Sequence, residues 1–423
     1  MSSSYRLGER ARRLVPLCLI VFGLFNAPIC AHATNRNISL ATAITKTLAQ
    51  NPQLHQYDLK QSGLASQLAT QKLRPRVSAS VEVENFAGSG DYASSKSAET
   101  TLALSSVMEL GDKRSARVSL ASTRLQLLED ERKIFTLDIL GALTSNFIKA
   151  IKAQEMIAVA KEGLDLAKHT LTVVKKRAVQ GAVADLEVKR AAAALAQAEL
   201  RLSGLQQSHQ RLVMKLASFW RETSPAWDGV DGSLYNFTSP PSYSDLYQRA
   251  SRSPFITRYA SDARLKKAEL ALAQTQSSTD ISWQVGVRRF EETGDNALIA
   301  GISIPLFSDR RNASETNSAR AAYDEVEYSK QYGLAKFHVQ LYEAYSQYQQ
   351  HAKSVRVYQQ TIIPALVSIL SDTEKAYQAG RYRYQDWIIA QEELLTAKRA
   401  LIDNAAAASL NQAIIEQLIA EPL

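Results

Sequence analysis

The residues that could bind a metal ion or act as nucleophiles are few and scattered along the chain. The sequence has no phosphate-binding glycine loop, no serine nucleophile elbow and no zinc-protease motif. Beyond residue 33 it has no cysteine, and its histidines and methionines match no metal-ligand spacing. We therefore predict no catalytic centre, no cofactor and no tight metal site, and we expect that the protein is not an enzyme. The residues in question are His55, His169, His209, His338 and His351, with Met108, Met156 and Met214.

The first 33 residues have the pattern of a secretory signal peptide. A basic region containing Arg6 and Arg13 precedes an apolar run from Leu14 to Ala27, and a small-x-small motif ends at Ala33. We predict cleavage after Ala33; the alternative is a buried N-terminal helix. Both cysteines, Cys18 and Cys30, lie in this segment, and lipidation of Cys30 is a second alternative.

The charge and hydropathy of the sequence argue against a nucleic-acid-binding protein and against a protein with transmembrane helices after residue 33. The net charge is +8, of which the first 33 residues contribute three, and no basic block is present, so nucleic-acid binding is not indicated. We see no later apolar run that approaches the roughly 18–20 residues of a spanning helix. If the mature chain crosses a membrane, we expect it to do so as β-structure.

An internal repeat with a period of about 200 residues organises the chain. Asn51-Pro52 is echoed by Ser253-Pro254, and the alternating segment Val77–Phe86 is echoed by Ile281–Phe290. We predict a first repeat over 34–222, a connector rich in Pro and Gly over 223–242, and a second repeat over 243–423. Each repeat is expected to hold a helix, a β-hairpin and a long helical hairpin, with the β-hairpins at 76–107 and 281–306 and the helical hairpins at 112–222 and 309–420. The initial helices are expected at Leu40–Leu73 and Tyr243–Gln276, and the returning strand of the second β-hairpin at Leu298–Ile304.

Apolar and polar residues alternate in the predicted strands, which are about 8–11 residues long, enough to cross a bilayer when tilted. Such alternation is typical of a barrel wall with lipid outside and water inside, and equally of a sheet packed on a soluble core. On the first interpretation, the lipid-facing positions are Val77, Val81, Val83, Leu102, Leu104, Ile281, Trp283, Val285, Val287, Ile302 and Ile304.

Two very long helical segments follow the strands. Residues 113–180 contain no proline, and at 1.5 Å per residue they would extend roughly 100 Å. The second copy, Asn312–Ala379, contains Pro364, where we expect a kink. Gly181 and Gly380 end the two segments, and we expect a return helix directly after each. Four strands cannot enclose an aqueous pore and lipid does not tolerate open sheet edges, so the membrane interpretation requires several chains in one barrel.

Five groups of residues carry a resemblance to a known family. They are Val81–Gly90, Met108–Arg114, Ile302–Asn312, Gly181 with Leu186–Val188, and Gly380 with Asp386-Trp387 and Ala390-Gln391. By these segments the chain resembles the TolC family of outer-membrane efflux proteins, and most of all its heavy-metal, CzcC-like branch. The resemblance extends over essentially the whole chain after residue 33.

The resemblance implies a mainly α fold with a small β part. Long α-helical hairpins would form an α-barrel, and four β-strands per chain would contribute to a trimeric 12-stranded β-barrel in the outer membrane. It also implies a homotrimer that works with a periplasmic adaptor (membrane fusion) protein and an inner-membrane RND pump. The adaptor-docking hairpin tips would be Gly181, Ala182, Val183, Gly380, Arg381 and Tyr382.

Asp386 matches a position where members of this family carry an acidic residue at a luminal constriction; the alternative is an ordinary solvated helix charge. The resemblance thus predicts an outer-membrane channel, extending into the periplasm, that exports heavy-metal cations. Two alternatives stay open, a drug-efflux or type I secretion conduit and a periplasmic coiled-coil scaffold without a pore.

Overall fold

A computed structural model describes residues 37–237, 241–306 and 309–422, with backbone only at 309–311. The predicted signal peptide, with Cys18 and Cys30, lies outside these residues. The described elements appear in one order and then again about 200 residues later. The first set is β1 (Asn37–Ser39), α1 (Leu40–Gln50), α2 (Pro52–Gln71), β2 (Ser78–Glu84), β3 (Glu99–Met108), α3 (Lys113–Val179) and α4 (Asp185–Ala217). After β4 (Gly229–Asp231), the second set is α5 (Tyr243–Ala250), α6 (Pro254–Thr275), β5 (Ile281–Phe290), β6 (Asn296–Ser303), α7 (Asp309–Val357), α8 (Ile363–Gln378) and α9 (Tyr384–Ile419).

The helix at the start of each repeat is broken in two, which corrects the prediction of single helices over Leu40–Leu73 and Tyr243–Gln276. In both repeats the second helix begins at a proline, Pro52 or Pro254, because proline disfavours the helical conformation of the residue before it. Asn51 caps the first of these helices: its side chain accepts from the Gln53 N–H at 2.9 Å and donates to the Phe219 carbonyl at 2.8 Å. The breaks are therefore capped junctions.

The two long segments differ in how continuous they are. The 67 residues of α3 form one uninterrupted helix. Its counterpart passes from α7 through a single π turn, Tyr358–Ile362, into α8, where Pro364 is the second residue. Proline has no N–H to give to the carbonyl one turn earlier, and the π turn accommodates this at the position where we expected a kink. The return helices begin at Asp185 and Tyr384, after short turns and not directly after Gly181 and Gly380 as predicted.

The strands form two separate sheets. Strands β2, β3, β5 and β6 pair in that order, and each neighbouring pair is antiparallel. The returning strand β6 begins at Asn296, two residues before the predicted Leu298. The second sheet is a short parallel pair of β1 with β4, in which Ile38 lies opposite Val230.

Residues 223–237 are more than a connector, since β4 and its neighbours belong to the main core. Trp227, Val230 and Leu234 are buried there against Phe147 of α3 and Ala405 of α9. Gln154 of α3 clamps the strand: its side chain accepts from the Val230 N–H at 2.7 Å and donates to the Val230 carbonyl at 3.1 Å. This segment therefore fixes the two repeats to each other.

Of the described helices, α3 alone has a stretch long and apolar enough to cross a membrane, which corrects the prediction that no such stretch follows residue 33. In the structure 39% of that stretch is buried. Leu143 and Phe147 of α3 lie in the core with Leu216 of α4, so we interpret the apolar character of α3 as core packing.

Candidate functional site

The register of the four-stranded sheet gathers large apolar side chains on one face. Residues directly opposite each other in a sheet share a face, and Val81, Leu102, Val287 and Leu298 form one such row. A second row holds Leu104 and Val285, and a third holds Trp283 and Ile302. Every predicted lipid-facing position that falls within a strand lies on this face, which we call the apolar face. Val77 and Ile304 lie one residue outside β2 and β6.

The apolar face is largely uncovered. Leu298 is 88% exposed, Ile302 75% and Val81 69%, and several of their neighbours are also exposed. A contiguous apolar patch of this kind on an isolated chain marks a surface that another protein or a lipid covers. That this face meets lipid stays a prediction.

Charged residues concentrate on the opposite face, around Arg288. Its guanidinium donates to Glu99 at 2.8 Å, to Glu84 at 2.9 Å and to the Thr101 hydroxyl at 2.9 Å. One arginine thus bridges two carboxylates from two other strands, which leaves a net charge of −1 in the cluster. The alternation pattern predicted a polar face, but the pairing of Arg288 with residues about 190–200 positions away depends on the fold.

The sheet has two open edges in a single chain. Strands β2 and β6 are its outer strands, so one side of each presents N–H and C=O groups without strand partners in the described sheet. An edge of this kind is tolerated in water but is costly in hydrocarbon. If the apolar face meets lipid, the edges must pair with further strands.

A compact junction connects the sheet to the long helices. Asp280, just before β5, binds the buried Lys113 Nζ at 2.8 Å and accepts from the Leu110 N–H at 3.2 Å. Glu109 forms a bidentate ion pair with the Arg117 guanidinium. Gly111 has φ +68, and a Cβ there would lie 2.1 Å from the Ser278 hydroxyl oxygen, so only glycine fits. The junction fixes the start of α3 relative to β5.

The far ends of the hairpins are two copies of one turn, which the structure builds around the predicted tip glycines. Gly181 (φ +70) donates to the Ala178 carbonyl at 2.9 Å and Ala182 to the Arg177 carbonyl at 2.9 Å. Gly380 (φ +75) and Arg381 repeat these bonds to Tyr377 and Ala376 at 3.0 and 2.9 Å. Both are Schellman motifs, in which a left-handed residue ends the helix. The predicted tip residues are exposed except Val183, which is half-buried.

A buried aromatic cluster holds the two tips together. Trp387 is fully buried, and its ring stacks on Tyr377 with 5.1 Å between centroids. The Arg177 guanidinium lies over the Tyr377 ring, with its central carbon 4.5 Å from the ring centroid. The Tyr377 hydroxyl donates to Glu187 at 3.2 Å, and burial together with that carboxylate raises the pKa of Tyr377 to about 12. Tyr377 therefore stays a neutral hydrogen-bond donor, and nothing in the local sequence predicted the cluster.

Asp386 lies in the first turn of α9 and caps that helix. Its carboxylate accepts from the Arg383 N–H at 3.1 Å and also pairs with the Arg383 guanidinium at 3.4 Å. These hydrogen bonds from the Arg383 backbone and side chain lower the pKa of Asp386 below its ordinary value. The residue is therefore ionised, and its place at a luminal constriction stays a prediction.

Within the described parts of the chain, no group of three or more His, Cys, Asp or Glu residues is arranged to hold a metal ion. The histidines have structural partners instead. His169 binds Glu374 at 2.9 Å, His338 binds the Tyr243 hydroxyl at 3.0 Å and His351 binds Asn404 at 2.9 Å. These side chains join helices that are distant in sequence.

The known sequences to which this chain is similar are an outer membrane efflux family, metal-resistance proteins and an export protein. Residues 43–220 match the family described as outer membrane efflux protein. The chain is 24% identical over 304 residues to the cobalt-zinc-cadmium resistance protein CzcC of Cupriavidus metallidurans, covering 72% of this chain and 73% of that protein. It is 22% identical to the nickel-cobalt-cadmium resistance protein NccC of Alcaligenes xylosoxydans xylosoxydans, covering 53% and 51%. It is also 23% identical to the pyoverdine export outer membrane protein OpmQ of Pseudomonas aeruginosa, covering 50% and 47%.

Solved structures share the fold at low sequence identity. CusC, whose crystal structures concern transmembrane channel formation, superposes with a TM-score of 0.77 at 14% identity, covering 91% of this chain and 92% of that chain. VceC of Vibrio cholerae, an outer membrane protein, superposes with a TM-score of 0.74 at 20% identity, covering 90% and 96%. The predicted mainly α fold with a small β part is confirmed.

Proposed function

We propose that this chain is an outer membrane efflux protein and forms the outer-membrane channel of a tripartite system that exports heavy-metal cations. One observation carries the proposal: a four-stranded sheet with an exposed apolar face and two open edges continues directly into helices roughly 100 Å long. When the apolar face of such a sheet meets lipid, the N–H and C=O groups at its two edges need partners, and only strands of other chains can supply them. The long helices then extend the passage away from the membrane into the periplasm.

The working unit is a homotrimer with a 12-stranded barrel, four strands from each chain. The interior of an eight-stranded barrel is filled by side chains or one small ligand, and because the diameter grows with the number of strands, twelve strands enclose a wider lumen. The face that carries Arg288, Glu84 and Glu99 lines this lumen, and the apolar face contacts outer-membrane lipid. With Glu82, which lies opposite Thr101 on the same face, the strand residues of this face carry a net charge of −2 per chain, which favours the passage of cations.

The exposed turns at Gly181–Val183 and Gly380–Tyr382 dock onto a periplasmic adaptor, which links the channel to an inner-membrane RND pump. Two observations support this role. The turns have the same hydrogen-bonding pattern, and each follows a long helical segment whose other end lies next to a strand of the four-stranded sheet. Six such turns in a trimer would give the adaptor a repeated surface. The energy for transport comes from the pump, and the channel itself is a passive conduit without enzymatic activity.

The proposed cargo, heavy-metal cations, is inferred from the names of two relatives. CzcC and NccC are resistance proteins for cobalt, zinc, cadmium and nickel by name, and similarity to CzcC extends over 72% of this chain. The scarcity of metal-binding clusters among the described residues is compatible with a metal conduit, because a tight site would retain the cargo. Asp386 near the tips would then be a weak, solvated attraction site.

A second candidate function is export of an organic compound, and the similarity to OpmQ favours it specifically. Deletion of the gene separates the two. We expect growth of the deletion strain to become sensitive to zinc, cobalt, cadmium or nickel, with unchanged sensitivity to antibiotics, and to recover when the wild-type gene is returned. Sensitivity to antibiotics or siderophore accumulation without metal sensitivity would assign the organic cargo instead.

A further inference from the structure

A cleft lies beside the apolar face of the sheet, at the end where the strands meet the long helices. Its volume is about 1070 Å³, at the top of the roughly 300–1,000 Å³ of small-molecule pockets. Val77, Met108 and Trp283 contribute to its lining. Met108 lies opposite Ile281 and Trp283 opposite Ile302, so both belong to the apolar face. The cleft therefore continues the apolar face towards the helices.

Three basic side chains also line the cleft. Lys72 and Arg74 lie between α2 and β2, and Arg114 lies in the first turn of α3. Pro75 disfavours the helical conformation of Arg74, so α2 ends shortly before it, at Gln71. All three basic side chains are exposed, and in the described parts of the chain none of them forms an ion pair or a hydrogen bond. Their charges are therefore available to a ligand.

The charge balance of the cleft is positive. Of the other charged residues in its lining, Glu109 is paired with Arg117, and Lys113 is paired with Asp280. Asp112 is the remaining acid, so the three free cations and this carboxylate leave a net charge of +2. An exposed apolar surface next to free cations is complementary to a molecule that is itself apolar at one end and anionic at the other.

The repeated fold does not require these basic residues. With the offset that aligns β2 with β5, Lys72 corresponds to Gln276 of the second repeat and Arg74 to Ser278. Both neutral residues also lead from a helix into a strand of the same sheet. A strand can therefore follow the helix without the two charges, and the positive charge belongs to this one cleft.

We propose that the cleft binds the headgroup of an anionic glycerophospholipid in the periplasmic leaflet of the outer membrane. This inference rests on the proposed function, in which the apolar face meets lipid and the long helices extend into the periplasm. The lipid phosphate lies among Lys72, Arg74 and Arg114, and an acyl chain follows the apolar face from Trp283 towards Leu104. Tryptophan is enriched at membrane–water boundaries, and basic pockets at that level bind anionic headgroups. A free phosphate ion would match the charge but would leave the apolar lining uncovered.

Trp283 can report the contact directly, because lipids with brominated acyl chains quench the fluorescence of a tryptophan that they touch. The full-length protein is reconstituted in phosphatidylcholine vesicles that contain brominated phosphatidylglycerol or brominated phosphatidylcholine. Trp283→Phe gives the background from the other three tryptophans, which are buried: Trp220, Trp227 and Trp387. We expect phosphatidylglycerol to be selected at Trp283 by at least about fivefold, the factor that one basic residue contributes near an anionic lipid surface.

The variant Lys72→Gln/Arg74→Gln/Arg114→Gln should lose this selection, with Trp283 still quenched by both lipids. The matched control is Arg76→Gln, which removes an exposed cation two residues from Arg74 that does not line the cleft, and it should keep the selection. The comparison of the two lipids on the wild-type protein needs no variant to fold.

Equal quenching of the wild-type protein by the two brominated lipids would overturn the headgroup site and leave the proposed function intact. The same conclusion would follow if the triple variant kept the selection, or if Arg76→Gln lost as much of it as the triple variant. If neither lipid quenched Trp283 in the reconstituted protein, the apolar face would not meet lipid, and both proposals would fail.

Discussion

Arg177 of α3 lies over the ring of Tyr377 of α8, with 4.5 Å between its guanidinium carbon and the ring centroid, and donates to the Tyr377 carbonyl. The Tyr377 hydroxyl in turn donates to Glu187 of α4. Two residues that are 200 positions apart therefore join three helices from both hairpins, one turn before the tips. In the proposed channel, opening of the tip end would require these contacts to break or move.

Arg177→Met should loosen the tips. The change keeps most of the side-chain length but removes the guanidinium that holds the Tyr377 carbonyl and ring, a contact of roughly 1–2 kcal/mol. We expect a severalfold higher conductance in planar bilayers, with the trimer retained. Lys176→Met is the control, because Lys176 is the exposed neighbour of the same helix turn. Equal conductance of the R177M and wild-type channels would mean that this contact does not restrict the passage.

Valine at Gly181 or Gly380 should impair export and leave the trimer intact. Both glycines have positive φ, where a β-branched residue is strained by about 1–2 kcal/mol, so the exposed turn would be distorted. The readout is metal resistance of complemented cells together with co-purification of the adaptor. Gly204→Val is the matched control: Gly204 is an exposed glycine within α4, and a Cβ there meets open space. Unchanged export in both tip variants would rule out the docking role.

Neighbouring arginines on opposite faces of β5 test which face lines the pore. Arg288→Gln removes the charge that offsets Glu84 and Glu99, so the strand residues of the proposed luminal face, which include Glu82, would change from −2 to −3 per chain. We expect the reversal potential in a salt gradient to shift towards cation selectivity. Arg289→Gln, on the apolar face beside Glu291, should shift it little. The opposite outcome, a shift with R289Q alone, would mean that the two faces are assigned the wrong way round.

Acidification should destabilise the protein through His209. This side chain is buried in α4 with its Nε2 3.3 Å from Gln154 Oε1, and burial lowers its pKa below the ordinary value near 6.5, partly opposed by Asp228. Below about pH 6.5 the unfolded chain then binds a proton that the folded chain does not, so stability falls as pH falls. Thermal unfolding in detergent at pH 7.5 and 5.0 should show a smaller loss for His209→Gln. An equal loss in both proteins would exclude His209 as a source.

Local sequence features predicted the elements well where a single residue type decides the conformation. Alternation assigned Val81, Leu102 and Val287 to one face because side chains in a strand alternate by geometry. Gly181 and Gly380 were found as turns because few other residues adopt positive φ. Pro52 and Pro254 carried an equally clear signal, and the helix breaks there were predictable from the residue before each proline.

Features that depend on long-range pairing were not predictable. Strand β4 is three residues long and pairs with β1, which lies about 190 residues earlier, so no local sequence pattern predicts this strand. The bridge from Arg288 to Glu84 and Glu99, and the stack of Trp387 on Tyr377, likewise need the folded chain to bring their members together. The sequence shows which residues are charged or aromatic, but the energy of these contacts arises only once the strands and hairpins have paired.

Conductance of the purified protein in a planar lipid bilayer tests the central claim most directly. Protein extracted from membranes with detergent should run as a trimer and produce discrete, cation-selective current steps when reconstituted. A periplasmic coiled-coil scaffold would behave differently: carbonate would wash it from the membranes, it would need no detergent, and it would give no current at any protein concentration. That second result would contradict the channel and every role assigned to the sheet.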